Sequence, residues 1–370
     1  MGERALHIGV DGRELLGRPT GVGRYLLAIL REWAETTPHR YSIFIPGLPH
    51  QSPEGATAGL PQPELGERMQ WVTDPGGRPG TWWEQMRLPG LVARSRPDVF
   101  FAAGYTAPLR LSCPYVVAIY DVSFWAHREW FSPREGMRRR WLTRAGARRA
   151  HSVVTISEFS ADEIVRFLGV PRNRIRLAPP GAPVIRDRPE RVDREPIVLY
   201  VGSLFNRRRI PELMRAFAGV AEWVPDARLV LVGDNRISPP FDPRTLARDL
   251  GMADRVDWRA YVSDAELEAL YWRARVFVFL SEYEGFGMTP MEAIAHDVPA
   301  ILLDTPVARE VYGDGARLVS TTLPGVLKEL LTDDDAHRRQ LEAGRKRLDR
   351  FSWTESAATV LRALEEAARR

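Results

Sequence analysis

Short apolar runs separated by stretches of helical spacing recur from end to end of this 370-residue chain. The runs at 5–10, 41–45, 69–72, 98–102, 115–121, 152–157 and 174–178 predict strands in the first half. Runs at 197–202, 227–233, 276–280 and 300–304 restart the series in the second half. Strands with few polar positions, alternating with helices, build parallel sheets covered on both faces, so the expected class is α/β with two doubly wound, Rossmann-like domains. Residues 179–196, rich in proline and charge, read as the linker. Residues 46–67 read as a surface loop. The expected domains are 1–185 and 186–350, followed by a helix over 351–370. That helix places Trp353, Ala357, Val360, Leu361, Leu364 and Ala368 on one stripe, with Ser352 and Glu355 set as a capping box.

Composition adds limits. A hydrophobic share of 44% beside 27% charged residues is that of a globular protein and excludes global disorder. The net charge is a modest +4, and all but two of the 52 basic residues, Lys328 and Lys346, are arginine. Cys113 is the single cysteine, which rules out an internal disulfide framework or a thiolate metal cluster. The N-terminus lacks a secretory apolar core, and no stretch has the apolar length of a bilayer span, so a cytoplasmic protein is expected.

The chemistry concentrates in SEYEGFGMTPMEAIAHDVPA, residues 281–300. It follows a predicted strand and opens a helix, the place where open α/β sheets bind ligands. Thr289 as N-cap, Pro290 at the first helical position and Glu292 at the third would complete a capping box, which accounts for Glu292 but not for Glu284. Gly285 and Gly287 allow close backbone approach, and a helix N-terminus attracts an anion such as phosphate. A carboxylate beside a phosphate can accept hydrogen bonds from sugar hydroxyls, so two of them around an anion pocket suggest a sugar nucleotide. After the strand at 197–202, SLFNRRRIPELMRAF places Arg207, Arg208 and Arg209 where they could balance a diphosphate. The competing reading is a solvated arginine run in an arginine-rich protein.

YVGSLFNRRRIPELMRAF and SEYEGFGMTPMEAIAHDVPAI resemble the two donor-site motifs of the retaining glycosyltransferases of family 4, which have the GT-B fold of two domains facing a cleft. Glu284 and Glu292 match the family's E-x7-E motif. Weaker resemblance in VDGRELLGRPTGVGRYLLAIL, WWEQMRLP, AIYDVSF, VVTISEFSADEI, AYVSDAELEALY and FSWTESA carries it over nearly the whole chain. The resemblance implies that Arg207 and Arg208 hold the diphosphate, that Glu292 holds the ribose, and that Glu284 holds the donor sugar with the backbone of Gly285, Phe286, Gly287, Met288 and Thr289. Gly202, Ser203 and Val262 would complete the donor site, and the last helix would cross back to the first domain. Arg208 stands where the family usually has lysine, and Arg209 where asparagine is common.

On the acceptor side, TGVGRY offers Gly21 and Gly23 as an acceptor or phosphate loop. AIYDVSF carries Tyr120 and Asp121 where many members have His-Asp. Tyrosine hardly takes up a proton near neutrality, and Asp121 reads equally as a turn cap. Retention leaves open a Glu284 nucleophile or a front-face route in which the leaving phosphate takes the acceptor's proton. No metal and no cofactor are expected, because the histidines form no ligand pair and neither lysine suits a pyridoxal Schiff base. Asp333, Asp334 and Asp335 read as a helix start.

The expected partners are a nucleotide-sugar donor and a carbohydrate or lipid-linked acceptor, and nucleic acid is not among them. The helix predicted at 133–150, with Met137, Trp141, Leu142 and Ala145 apolar among arginines, reads either as a packed helix with a solvated arginine face or as a peripheral contact with anionic membrane on its inner face. Within the fold, an epimerase or phosphorylase, or a silent sugar-nucleotide-binding subunit, is the alternative to transfer.

Overall fold

A computed structural model describes residues 4–17, 21–47, 66–185, 188–190 and 192–369; residues 48–65 of the expected surface loop lie outside them. The chain divides into two compact units, residues 1–181 with 352–370, and residues 182–351. The division therefore falls at Gly181 and Phe351, where the sequence reading puts 185 and 350.

The first unit holds seven strands: β1 (His7–Asp11), β2 (Arg40–Pro46), β3 (Met69–Asp74), β4 (Val99–Ala102), β5 (Tyr115–Ala118), β6 (Ser152–Thr155) and β7 (Ile175–Leu177). They pair in the order β3-β2-β1-β4-β5-β6-β7, every pair parallel. The second holds β8 (Ile197–Val201), β9 (Arg228–Val232), β10 (Val256–Arg259), β11 (Val276–Phe279), β12 (Ala300–Leu303) and β13 (Arg317–Val319). Their order is β10-β9-β8-β11-β12-β13, again all parallel. In both sheets the strand order reverses next to the first strand, between β1 and β4 and between β8 and β11. Helices on opposite faces leave a crevice at that switch point, beyond the carboxyl ends of the strands.

Central strands read clearly because both of their faces are covered: β4, β5, β8 and β11 are buried at every position. The two strands absent from the sequence reading, β10 and β13, are the edges of the second sheet. Both are half-exposed and carry arginine, with the sequences VDWR and RLV, so no apolar run marks them.

The terminal helix Trp353–Ala368 packs within the first unit against the helix Gly21–Thr36. Its buried face consists of Ser356, Ala357, Val360, Ala363, Leu364 and Ala367, so Leu361 and Ala368 of the expected stripe sit at its margin. Trp33 donates its indole N–H to the Ala357 carbonyl at 3.0 Å. Ser352 caps the helix by accepting from the Glu355 amide, and Asp333 likewise caps Asp334–Leu348. Where the chain re-enters the first unit, Gly181 leaves no room for a side chain: a Cβ there would lie 2.3 Å from the Trp353 nitrogen. On the other side of the boundary the linker is tied to the second unit. Arg194 donates to the carbonyls of Ala274 at 2.5 Å and His296 at 2.7 Å, closing the end of the helix Asp264–Arg273.

The docking of the terminal helix gives the first prediction. Leu364 is fully buried, so Leu364→Ala is expected to cost the first unit about 2–5 kcal/mol in urea unfolding. A loss under about 1 kcal/mol would contradict the packing described.

Candidate functional site

The second sheet reverses its strand order between β8 and β11, and the loops leaving these two strands carry the predicted residues. After β8 the chain passes through Gly202, at φ +143°, and Ser203 into a tight turn at Asn206–Arg208. It enters the helix Ile210–Ala221 through Arg209, a non-glycine residue in the left-handed region. Such a conformation carries strain and is concentrated at functional sites. The end of β9 packs against this loop: a Cβ on Gly233 would lie 2.1 Å from the Gly202 oxygen, so no side chain fits at 233.

The two loops are joined at every arginine of the run. The Glu282 amide donates to the Arg207 carbonyl at 2.9 Å. Arg209 Nε donates to Glu282 Oε1 at 2.7 Å. Arg208 Nη2 pairs with Glu284 Oε1 at 2.9 Å, both side chains being largely shielded. Glu284 also accepts from Ser281 Oγ at 2.6 Å. The Arg208 guanidinium lies 4.2 Å from the Phe279 ring centroid, within cation–π range. The hydroxyl of nearby Tyr200 donates to the Ser203 carbonyl at 3.0 Å, and burial pushes its pKa up to about 12. Arg208 Nε is buried and has no hydrogen-bond partner among the described residues. A buried, unmatched donor on a guanidinium calls for an acceptor.

The turn 281–287 departs from the expected cap. The helix runs Met288–Ala295 with Gly287, at φ +88°, as N-cap and no side-chain capping bond. Thr289 is therefore inside the helix, its hydroxyl buried without a partner among the described residues, and the proposed box with Glu292 does not form. Pro290 is the third helical residue rather than the first, because the chain turns two residues earlier than expected, through glycine. The consequence favours function, since capping no longer explains Glu292. That carboxylate accepts from the Tyr271 hydroxyl at 3.2 Å instead. Beside Glu284 a small pocket is lined by Ser281, Phe286, Gly287, Pro290 and Tyr312, and the Tyr312 hydroxyl donates to the Gly287 carbonyl.

Arg207, Arg208, Glu284 and the segment Gly285–Thr289 thus lie together with Gly202 and Ser203, and Glu292 is one turn along the helix. Val262 is buried in the loop before the helix Asp264–Arg273, and no described interaction joins it to these residues. Asp234, unassigned in the sequence, belongs here: it follows β9 and accepts from Ser203 Oγ. An acid directly after an apolar strand was its only signal.

In the first unit, Gly21 is the first residue of the helix Gly21–Thr36 and Gly23 is buried in its first turn. Tyr120 is a packing residue: its hydroxyl donates to the Ala103 carbonyl at 2.8 Å, and its ring meets Tyr25 and Tyr105 edge-on. Asp121 accepts from the Tyr105 hydroxyl at 2.7 Å and the Ser123 amide at 2.8 Å, which is the turn-cap geometry. A buried network that the sequence did not announce surrounds Arg13, held by Asp11 at 2.7 Å and Glu84 at 3.0 Å. Burial, with the Asp11 charge, raises the pKa of the adjacent Glu14 carboxyl. Among the described residues no group of three or more His, Cys, Asp or Glu is placed to hold a metal ion.

Two family models divide the chain between them: Glycosyltransferase Family 4 over residues 19–186 and Glycosyl transferases group 1 over residues 182–347. The MMP alpha-(1->4)-mannosyltransferase of Mycolicibacterium hassiacum is 30% identical over 262 residues, covering 67% of this chain and 62% of that protein. The chain thus spans about three fifths of that curated relative's length. Among solved structures, sucrose-phosphate synthase from Thermosynechococcus elongatus superposes with a TM-score of 0.73 at 18% identity over 98% of both chains. Anabaena Alr3699/HepE, in complex with UDP, gives 0.69 at 16% identity over 98% of this chain and 100% of that one. With two parallel α/β sheets and a matching model on each half, the chain belongs to glycosyltransferase family 4 and has the GT-B fold.

Proposed function

We propose that this protein is a retaining, metal-independent glycosyltransferase that moves a sugar from a nucleoside-diphosphate donor to a saccharide, lipid-linked or small-molecule acceptor. The observation that carries this reading is the Arg208–Glu284 pair, which brings the arginine loop and the glutamate turn to one switch point. A likeness to a mannosyltransferase and to a protein described with UDP supports the donor class.

In this reading Arg207 and Arg208 bind the diphosphate, helped by the amide groups and positive dipole end of the helix Met288–Ala295. The bond from the anomeric carbon to the phosphate oxygen breaks, and the acceptor oxygen bonds to that carbon on the same face. The acceptor's proton passes to the departing oxygen. Negative charge grows on the diphosphate as it leaves, so fixed guanidiniums stabilise the transition state more than the ground state. They take the place a divalent ion would otherwise fill. Glu284, restrained by Ser281 and Arg208, accepts hydrogen bonds from the donor sugar, and Glu292, oriented by Tyr271, accepts from the ribose. Gly202, Ser203 and Val262 complete the donor side, while Gly21 and Gly23 serve an acceptor or phosphate loop. Tyr120 acts here only through packing.

Three measurements test this assignment. Arg208→Ala should weaken nucleoside-diphosphate binding by calorimetry and lower kcat about 10²–10³-fold; unchanged affinity removes Arg208 from the diphosphate site. Glu284→Gln should keep that affinity within about threefold while turnover falls about 10²-fold. A turnover equal to the parent's takes Glu284 out of the reaction, and no turnover by the parent with any nucleotide sugar points to a silent binding protein. Prolonged incubation with a chelator is expected to leave the rate intact; a loss that only an added divalent ion restores contradicts metal independence.

A further inference from the structure

The helix Pro133–Arg149 turns small residues and Leu142 inward and its other large apolar residues, Met137 and Trp141, outward. Gly136, Leu142, Thr143, Gly146 and Ala147 form its buried face, and a Cβ on Gly146 would lie 3.4 Å from the Ala107 nitrogen. The sequence grouped Met137 and Trp141 with Leu142 as one apolar face. In the structure they part from it, Met137 and Trp141 each being 62% exposed. On a neighbouring segment Trp82 and Met86, with the same four-residue spacing, are 65% and 63% exposed. Arg138 hydrogen-bonds Thr81, which joins the two segments. One exposed apolar side chain is ordinary, but two Trp–Met pairs on adjoining segments form a patch that calls for an occupant.

The charge around the patch says what kind. From Arg128 to Arg149 the chain carries eight arginines against Glu129 and Glu135, whereas the whole protein nets only +4. Three of those guanidiniums, on Arg128, Arg140 and Arg144, gather about the Trp125 ring. Arg134 and Arg138 instead line one surface hollow with Met137 and Trp141.

We propose that this face docks on an anionic lipid surface, with Trp82, Met86, Met137 and Trp141 entering the interfacial layer and the arginines pairing with lipid phosphates. Tryptophan settles at the level of the head groups, and a basic, apolar-tipped helix lies in that plane. No described helix is long and apolar enough to cross a membrane, so the contact is peripheral. A second copy of the chain fits less well, because a two-fold contact would set Arg134 and Arg138 against the same residues of the partner. Nucleic acid would answer the arginines and stack on the rings, but gives the methionines no role. The proposal does not depend on the reaction assigned above, since it concerns the first unit's surface alone.

Flotation of the full-length protein with vesicles of phosphatidylcholine, with and without phosphatidylglycerol, tests it. Binding is expected to the anionic vesicles, weaker at high salt, and absent from phosphatidylcholine alone. Trp82→Ala with Trp141→Ala, and separately Arg134→Gln with Arg138→Gln, should each lower the partition coefficient about tenfold or more with an unchanged thermal midpoint. If either pair shifts the midpoint, Met86→Ser with Met137→Ser supplies the same readout. The proposal is overturned by absence of binding to anionic vesicles, by binding that these variants leave unaltered, or by a tryptophan-dependent dimer or oligonucleotide complex in its place.

Discussion

The second unit depends on a single ion pair drawn across a sheet. Arg208 and Glu284 leave different strands, some seventy residues apart in sequence, yet their charges meet at 2.9 Å with little solvent access. Shielding makes such a pair costly to leave half-made, so each partner fixes the other's loop. Shared hydrogen bonds make the tie cooperative: Ser281 holds Glu284, and the Arg207 carbonyl receives the Glu282 amide. On the proposed reading, an incoming diphosphate meets guanidiniums that are already placed, which limits the reorganisation demanded at the moment of transfer.

Most of the architecture was legible because parallel sheets bury their central strands completely, and burial on two faces writes itself as an apolar run. Where one side of a strand is free the signal vanishes, as at β10 and β13. The candidate site was legible for a related reason: glycines at 285 and 287, and arginines at 207–209, follow such runs, and position after a strand is itself informative. The helix start at Met288 was misread because Thr289-Pro290 resembles a cap, while the true cap is a glycine whose left-handed backbone the sequence does not declare. Tyr271 and Tyr312 were invisible for a different reason. Each reaches the site from an element distant in sequence, by side-chain bonds that only the folded chain creates.

The first unit shows how far residue type alone falls short. Tyr120 stands where many family members have histidine, yet its hydroxyl donates a hydrogen bond to a backbone carbonyl and its ring packs edge-on against other tyrosines. Arg13, unremarked in an arginine-rich chain, is held between two buried carboxylates. The same composition hides the outward-facing tryptophans, since an amphipathic count assigns Met137, Trp141 and Leu142 to one face, whereas the folded helix buries Leu142 and leaves the other two exposed.

The most direct test of the central claim is a structure of this protein with a nucleoside diphosphate bound. The account predicts phosphate oxygens within hydrogen-bond distance of Arg208 Nε and of the amides at the start of the helix Met288–Ala295, with the ribose beside Glu292. A diphosphate seated away from the β8 and β11 loops, with the Arg208–Glu284 pair untouched, would contradict it.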